Sequence, residues 1–159
     1  MLTSGPTDEA TTHIEEALQI DPNYAEAHAN LAQVYLRTGR TRQAIAEYRS
    51  ALAIDPRSIG VHLSLAWVLA TLFDPSLRNG TEAFLLAQQA QRLLGSTNPR
   101  ILRVLAAAYA EQGQFAEATK TARQGLELAT TRGDTVPARS LENDIAFYDV
   151  GRPNHEGSN

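Results

Sequence analysis

The chain has 159 residues, of which 43% are hydrophobic and 20% are charged, and its formal net charge is −4. This composition is typical of one ordinary globular domain, and a chain of this length buries enough surface to fold without a metal or a disulfide. The absence of cysteine excludes disulfides, thiolate zinc sites and cysteine nucleophiles. The acidic balance argues against binding to nucleic acid, which needs clustered basic residues.

The sequence shows no segment that is expected to enter a membrane. The longest apolar stretch, residues 61–70, is interrupted by Ser64 and is too short to cross a bilayer. The first residues lack the basic and apolar regions of a signal peptide. We therefore expect no membrane insertion by this segment, and we favour a cytoplasmic location.

Two similar segments reveal an internal repeat. Leu-Gln-Ile-Asp-Pro occupies residues 18–22 and Leu-Ala-Ile-Asp-Pro occupies residues 52–56, which is a spacing of 34 residues. Apolar residues recur at three- and four-residue steps on both sides of Gly39, so two amphipathic helices are predicted there. Gly39 ends the first helix, and Thr41 is the expected N-cap of the second. The repeating unit is a helix-turn-helix pair.

This unit resembles the tetratricopeptide repeat. The family pattern has leucine, a small residue, tyrosine, glycine, alanine, an aromatic residue, alanine and proline at fixed positions. This chain has, in the same order, Leu31, Ala32, Tyr35, Gly39, Ala44, Tyr48, Ala51 and Pro56. His28 departs from the pattern, which often has tryptophan at its position. The resemblance implies an all-α superhelix built from stacked helical pairs.

The same frame predicts the organisation of the whole chain. We expect one domain over residues 1–153, a solenoid of about three helical pairs with an extra leading helix and a C-terminal capping helix. Its parts are a half repeat at 7–22, repeats at 23–56, 57–95 (with an insertion in its turn) and 97–131, and a capping helix at 135–150 with Thr135 or Val136 as its cap. The half repeat indicates either a chain cut from a longer array or a lone capping helix. Residues 154–159 are expected to form a disordered tail.

The second half of the chain has a narrower resemblance. Residues 59–153 resemble the C-terminal repeats of a group of bacterial multi-repeat proteins, mainly over stretches 65–80, 105–115 and 147–153. Some members carry these repeats behind membrane-embedded glycosyltransferase-like segments. The group commonly has Cys-Pro where this chain has Leu72 and Phe73. The resemblance implies a non-catalytic tail of a larger protein.

The tetratricopeptide resemblance also implies a ligand site. Such domains bind peptides in a concave groove that is lined by the first helix of each pair. Carried over residue by residue, the groove consists of Glu26, Gln33, Leu36, Arg37, Leu63, Trp67, Thr71, Arg100, Arg103 and Glu111. Trp67 is the expected anchor, because tryptophan and arginine contribute most to interface energies. The alternative is that Trp67 is a core residue packed on the inserted turn. We expect the Trp67→Ala, Arg103→Glu chain to lose peptide binding and to keep its stability.

The sequence contains no pattern that indicates catalysis or a cofactor. It lacks a glycine-rich phosphate loop and a nucleophile with a nearby base, so we expect no enzyme activity. His28 and His62 are one repeat apart, but no third ligand is in register, so we expect no metal and regard His28 as a packing substitute for tryptophan.

The function favoured by the sequence is a non-catalytic scaffold that binds a peptide segment of a partner protein. One alternative is a self-assembly module, in which the acidic residues before Arg37 meet the basic cluster of Arg37, Arg40 and Arg42 in another copy. The other is an accessory C-terminal module of a larger bacterial glycosyltransferase-like protein.

Overall fold

The computed structural model describes residues 6–155, and over this range the chain forms eight α-helices, one 3₁₀ turn and no β-strand. The fold class is therefore all-α, as the sequence predicts. None of the described helices is long and apolar enough to span a membrane. The elements are α1 (Pro6–Ile20), α2 (Ala25–Arg37), α3 (Thr41–Ile54), α4 (Ile59–Thr71), the 3₁₀ turn (Pro75–Leu77), α5 (Gly80–Leu94), α6 (Pro99–Glu111), α7 (Phe115–Arg132) and α8 (Thr135–Tyr148).

A tight glycine turn joins the helices of a pair. After α2, Gly39 adopts a left-handed conformation with φ of 73°, which a residue with a Cβ atom rarely tolerates. The Arg40 N–H donates to the Tyr35 carbonyl at 2.8 Å, and the Gly39 N–H donates to the Leu36 carbonyl at 3.1 Å. These two bonds satisfy carbonyls that the end of the helix leaves unpaired. Gly113 (φ 74°) occupies the equivalent position between α6 and α7.

The same turn corrects the predicted N-caps. Thr41 is the first residue of α3 rather than its cap, because Arg40 completes the glycine turn and its carbonyl already accepts the Ala44 N–H at 3.0 Å. The cap of α8 is likewise Asp134, not Thr135 or Val136. Neither cap residue accepts a side-chain hydrogen bond. If Thr41 and Thr135 were N-caps, the helices would begin one residue later. The glycine turn thus sets the beginning of each helix at the threonine itself.

Residues 1–61 form the first of two compact units. Within it α1 packs against α2, and α2 packs against α3. Ala32 and Ala44 are completely buried and allow the two helices to approach closely, while Tyr48, 2% exposed, fills the remaining space. Helix pairing in this unit therefore depends on the alternation of small and large residues.

His28 makes polar contacts within the first unit instead of replacing a tryptophan in the core. Its Nδ1 lies 2.6 Å from Glu47 Oε2, and its Nε2 lies 3.0 Å from the Pro22 carbonyl oxygen. Both partners accept hydrogen bonds, so both contacts are satisfied when both ring nitrogens carry hydrogen, and the site favours the protonated imidazole. Burial lowers the pKa of His28, but the hydrogen bonds and the charge of Glu47 outweigh this effect, and the net pKa is raised above its ordinary value.

This contact predicts a pH-dependent stability. Because the pKa of His28 is higher in the folded chain than in the unfolded chain, its contribution is complete below about pH 6.5 and is lost as the pH rises through the folded-state pKa. We expect His28→Gln to remove this part of the pH dependence of urea unfolding measured between pH 5.5 and pH 8.5. The control is His13→Gln, since the His13 side chain is 79% exposed. Equal pH profiles for the His28→Gln chain and the unsubstituted chain would contradict the assignment.

The second unit spans residues 62–159 and contains most of α4 together with α5–α8. Here α6 packs against α5 and α7, and α8 packs against both α6 and α7. Gly125 of α7 lies at the closest approach, where a Cβ atom would stand 3.1 Å from the Leu102 Cβ and 3.2 Å from a Leu141 methyl carbon. Leu141 itself is fully buried. The position favours glycine because a Cβ atom here would force Leu102 and Leu141 to move by a few tenths of an ångström.

The end of the chain differs from the predicted disordered tail. Asn154 donates from Nδ2 to Asp144 Oδ1 at 2.6 Å, and His155 Nε2 lies 2.7 Å from Glu111 Oε2. Both residues are half-buried. They are held because each finds a carboxylate partner within the second unit. Residues 156–159 of the predicted tail lie outside the described residues.

Candidate functional site

Three helices of the second unit bring an aromatic ring, a cation and a carboxylate together. The Arg103 guanidinium carbon of α6 lies 4.1 Å from the centre of the Trp67 ring of α4. Arg103 Nε also donates to Asp144 Oδ2 of α8 at 2.5 Å. The guanidinium is therefore fixed by a cation–π contact and a charge-assisted hydrogen bond.

Asp144 is the buried centre of this cluster. Its side chain is 2% exposed, whereas that of Arg103 is 29% exposed. Oδ2 accepts from Arg103 Nε, and Oδ1 accepts from Asn154 and, at 3.4 Å, from Arg103 Nη2. Two donors thus compensate for the removal of this charge from water.

Tyr148 borders this cluster, and its phenol is neutral. Its hydroxyl is buried and has no hydrogen-bond partner among residues 6–155. Burial raises the pKa of the phenol, and the negative charge of Asp144 raises it further, while Arg103 lowers it. The buried phenol therefore stays protonated and adds no charge beside the ion pair.

A second ion cluster joins α6 to the inserted turn. Arg78 Nε donates to Glu111 Oε1 at 2.8 Å, while Arg78 Nη1 donates to the carbonyls of Leu72 and Phe73 at 3.0 and 3.1 Å. His155 completes the cluster, since its Nε2 meets the other oxygen of Glu111 and its Nδ1 lies 3.3 Å from Arg78 Nη1. Arginine can only donate, so the Nδ1 accepts and the Nε2 carries the hydrogen that is donated to Glu111.

A family model matches the first part of the chain. Residues 1–68 match the family model of the tetratricopeptide repeat. Over this range the chain is similar to tetratricopeptide repeats. Comparison of the sequence with curated proteins gave no match.

Solved structures with a similar fold cover most of the chain. A crystal structure of MamA protein superposes with a TM-score of 0.65 at 18% identity and covers 92% of this chain and 81% of its own. PilF of Pseudomonas aeruginosa gives 0.64 at 25% identity, covering 89% and 68%. A second MamA structure gives 0.64 at 14% identity, covering 94% and 97%. These similarities confirm the predicted all-α helical repeat.

In the first unit, the four predicted groove residues lie on α2 of the tetratricopeptide pair α2–α3. Glu26, Gln33 and Arg37 are exposed, and Leu36 is half-buried. Their spacing places them on the part of α2 that the unit leaves open to solvent. These side chains are accessible to a ligand.

In the second unit, the predicted groove residues separate into accessible and inaccessible ones. Arg100 is exposed and Trp67 is half-buried, so both are accessible. Leu63 and Thr71 are 3% and 1% exposed, and Thr71 Oγ1 donates to the Trp67 carbonyl at 2.8 Å. Leu63 and Thr71 therefore cannot contact a ligand. The repeat pattern assigns them to the open side of α4, but most of this helix is buried on that side as well.

Arg103 and Glu111 have a structural role that the sequence did not indicate. Each is held in an ion pair inside the second unit. The Arg103→Glu change would place a carboxylate beside the buried Asp144, so we now expect it to reduce stability. The Trp67→Ala, Arg103→Glu chain is therefore not a stability-neutral binding variant, contrary to the expectation from sequence.

Four residues of the two clusters were missed by sequence reasoning. They are Arg78, Asp144, Asn154 and His155. For Asp144 a signal existed, since it lies three residues after Leu141 and four before Tyr148, on the same side of an amphipathic helix, where a charge requires a partner. The other three lie in the inserted turn or near the chain end, and no periodicity identifies their contacts.

The predicted absence of a metal site concerned His28 and His62. Among the described residues no group of three or more His, Asp or Glu side chains is placed to hold a metal ion. His28 is engaged by Glu47 and Pro22, and His62 is buried at 6% exposure. What this geometry does offer is a fixed aromatic and charged surface on α4, α6 and α8.

Proposed function

We propose that the protein is a non-catalytic scaffold that binds a peptide segment of a partner protein on the surface formed by Trp67, Arg100 and Arg103. The tetratricopeptide repeat is a fold of protein–protein interaction scaffolds, and the model match over residues 1–68 gives the chain this general role. The finer proposal concerns where and how the ligand binds.

The observation that carries the proposal is the fixed guanidinium of Arg103 between the Trp67 ring and Asp144. A side chain that is already immobilised loses little conformational entropy when a ligand binds. Tryptophan and arginine are also the residues that most often dominate interface energies. Arg103 keeps 29% of its side chain exposed, so a ligand can reach it.

The charges of the surface favour a peptide ligand of mixed character. Arg100 is exposed and offers donors to a carboxylate or a carbonyl group. Asp144 and Glu111, which are paired with Arg103 and Arg78, accept hydrogen bonds from donors such as Asn154 and His155. An extended peptide has both kinds of group along its backbone.

Selection from a displayed random-peptide library tests this function. We expect the enriched peptides to bind the Trp67→Ala chain at least about tenfold more weakly, since a hot-spot aromatic contributes roughly 2 kcal/mol. The matched control is Phe73→Ala, which removes an aromatic ring that is 69% exposed and lies outside the cluster. Circular dichroism verifies that both variants are folded.

Equal binding of the enriched peptides to all three chains would contradict the proposed surface. If a folded chain enriches no peptide, the peptide function is wrong and self-assembly becomes the favoured function. Sedimentation at low and high salt then decides, because an association driven by charge weakens with ionic strength. A role as an accessory glycosyltransferase module stays a prediction from the sequence resemblance.

A further inference from the structure

The chain turns back on itself after α8. Gly151 adopts a left-handed conformation with φ of 68°, and the Arg152 N–H donates to the Phe147 carbonyl at 3.0 Å. The following segment, Pro153–His155, is half-buried. Asn154 reaches Asp144, one turn before the end of α8, so the segment runs back alongside this helix.

Two consecutive residues of this segment make matching contacts. Asn154 donates to Asp144, the carboxylate that is paired with Arg103. His155 donates to Glu111, the carboxylate that is paired with Arg78. At Glu111 the arginine holds one carboxylate oxygen and the tail residue occupies the other. At Asp144 the arginine contacts both oxygens, at 2.5 and 3.4 Å, and Asn154 donates to the oxygen with the longer arginine contact. The pattern is that of a receptor with two acceptors at fixed positions and a short extended segment with two donors.

We propose that Pro153–His155 is a built-in occupant of the acceptor side of the candidate peptide site, formed by Asp144 and Glu111, and that a partner segment displaces it from these two carboxylates. The competing segment is an extended peptide that presents side-chain N–H donors on two consecutive residues, as Asn154 and His155 do. The self-occupied state stands on the contacts above, whereas displacement by a partner rests on the proposed function.

The covalent connection makes the tail a strong competitor. A segment joined by a short tether has an effective concentration in the millimolar range at its site. A free peptide with the same contacts therefore competes poorly against the attached tail. Its affinity rises when the donors of the tail are removed.

The experiment uses the full chain with Asn154→Ala and His155→Ala, and as its probe a labelled synthetic peptide of residues 150–159. Fluorescence anisotropy is expected to show at least about tenfold tighter binding of this peptide to the double variant than to the unsubstituted chain. A peptide with the same two alanines should not bind. The control chain is Arg152→Ala, whose exposed side chain is replaced while both donors stay, and it should behave like the unsubstituted chain.

Equal affinity of the peptide for the double variant and the unsubstituted chain would overturn the proposal. So would the absence of binding to the double variant at peptide concentrations up to about 2 mM, because the effective concentration of the attached tail lies in this range. A second measurement needs no substitution: the amide heteronuclear NOE values of Asn154 and His155 should equal those of α8. Values typical of a mobile chain end would also overturn it.

The outcomes for this inference and for the proposed function are separable. Library peptides that depend on Trp67 but bind the unsubstituted chain and the double variant equally would support the scaffold function and overturn self-occupancy. Binding of the tail peptide to the double variant, with no library peptide enriched by either chain, would support self-occupancy and overturn the scaffold function.

Discussion

Replacing Asp144 by asparagine is expected to lower the free energy of unfolding by about 3 kcal/mol, because it leaves the Arg103 guanidinium without its counter-charge in a largely buried place. The estimate lies at the low end for buried pairs, since the Arg103 side chain is 29% exposed and keeps some contact with water. Asparagine also replaces one acceptor oxygen with a donor that faces either Arg103 or Asn154. The substitution conserves size, so packing changes contribute little.

Asp149→Asn provides the matched control. Asp149 is also paired with an arginine, Arg123, at 3.3 Å, but the two side chains are 44% and 64% exposed. Exposed pairs contribute little, so we expect a change below about 0.5 kcal/mol. Urea unfolding followed by circular dichroism measures both variants. A loss of the same size in both would show that burial does not determine the importance of Asp144.

Truncating Leu141 to alanine is expected to cost about 3 kcal/mol, which is typical of a buried leucine. Leu141 is fully buried in a cluster that otherwise consists largely of alanines, among them Ala106, Ala118 and Ala122. Its methyl groups also cover Gly125 of α7. The alanines and Gly125 have no side chains long enough to move into the space that is left, and larger neighbours such as Tyr148 and Leu126 are already packed in or against the cluster, so part of the cavity stays open.

The control for this truncation is Leu85→Ala in α5, where the same atoms are removed from a side chain that is 56% exposed. Here we expect a loss below about 1 kcal/mol, because less apolar surface is returned to water. Thermal unfolding of the two variants under identical conditions measures the difference. Similar midpoints for Leu85→Ala and Leu141→Ala would contradict the packing described for α8.

Much of the fold was predictable because helix formation and pairing follow local rules. The three- and four-residue spacing of apolar residues predicted the helices, and Gly39 and Gly113 marked the turns inside two of the pairs. The N-caps were less predictable. Arg40 and Asp134 are the N-cap residues because the preceding glycine turn fixes the position of their carbonyl groups. Their side chains make no capping hydrogen bond.

The candidate site was only partly predictable. The repeat pattern indicates which side of the first helix in each pair is open to solvent. That pattern was sufficient to predict Trp67, Arg100 and Arg103. The same pattern also predicted Leu63 and Thr71, but both are buried. The pattern describes an average repeat and does not include the extensive burial of α4.

The sequence by itself determined the repeat, its 34-residue period and the all-α fold, because these depend on the spacing of residues within about one repeat. The tertiary structure decided which charges meet. Asp144 and Arg103 are 41 residues apart, and His155 and Glu111 are 44 apart, so only the packing of α6, α8 and the chain end brings them into contact. Periodicity specifies the face on which a side chain lies, whereas its partner is specified by the position of another helix.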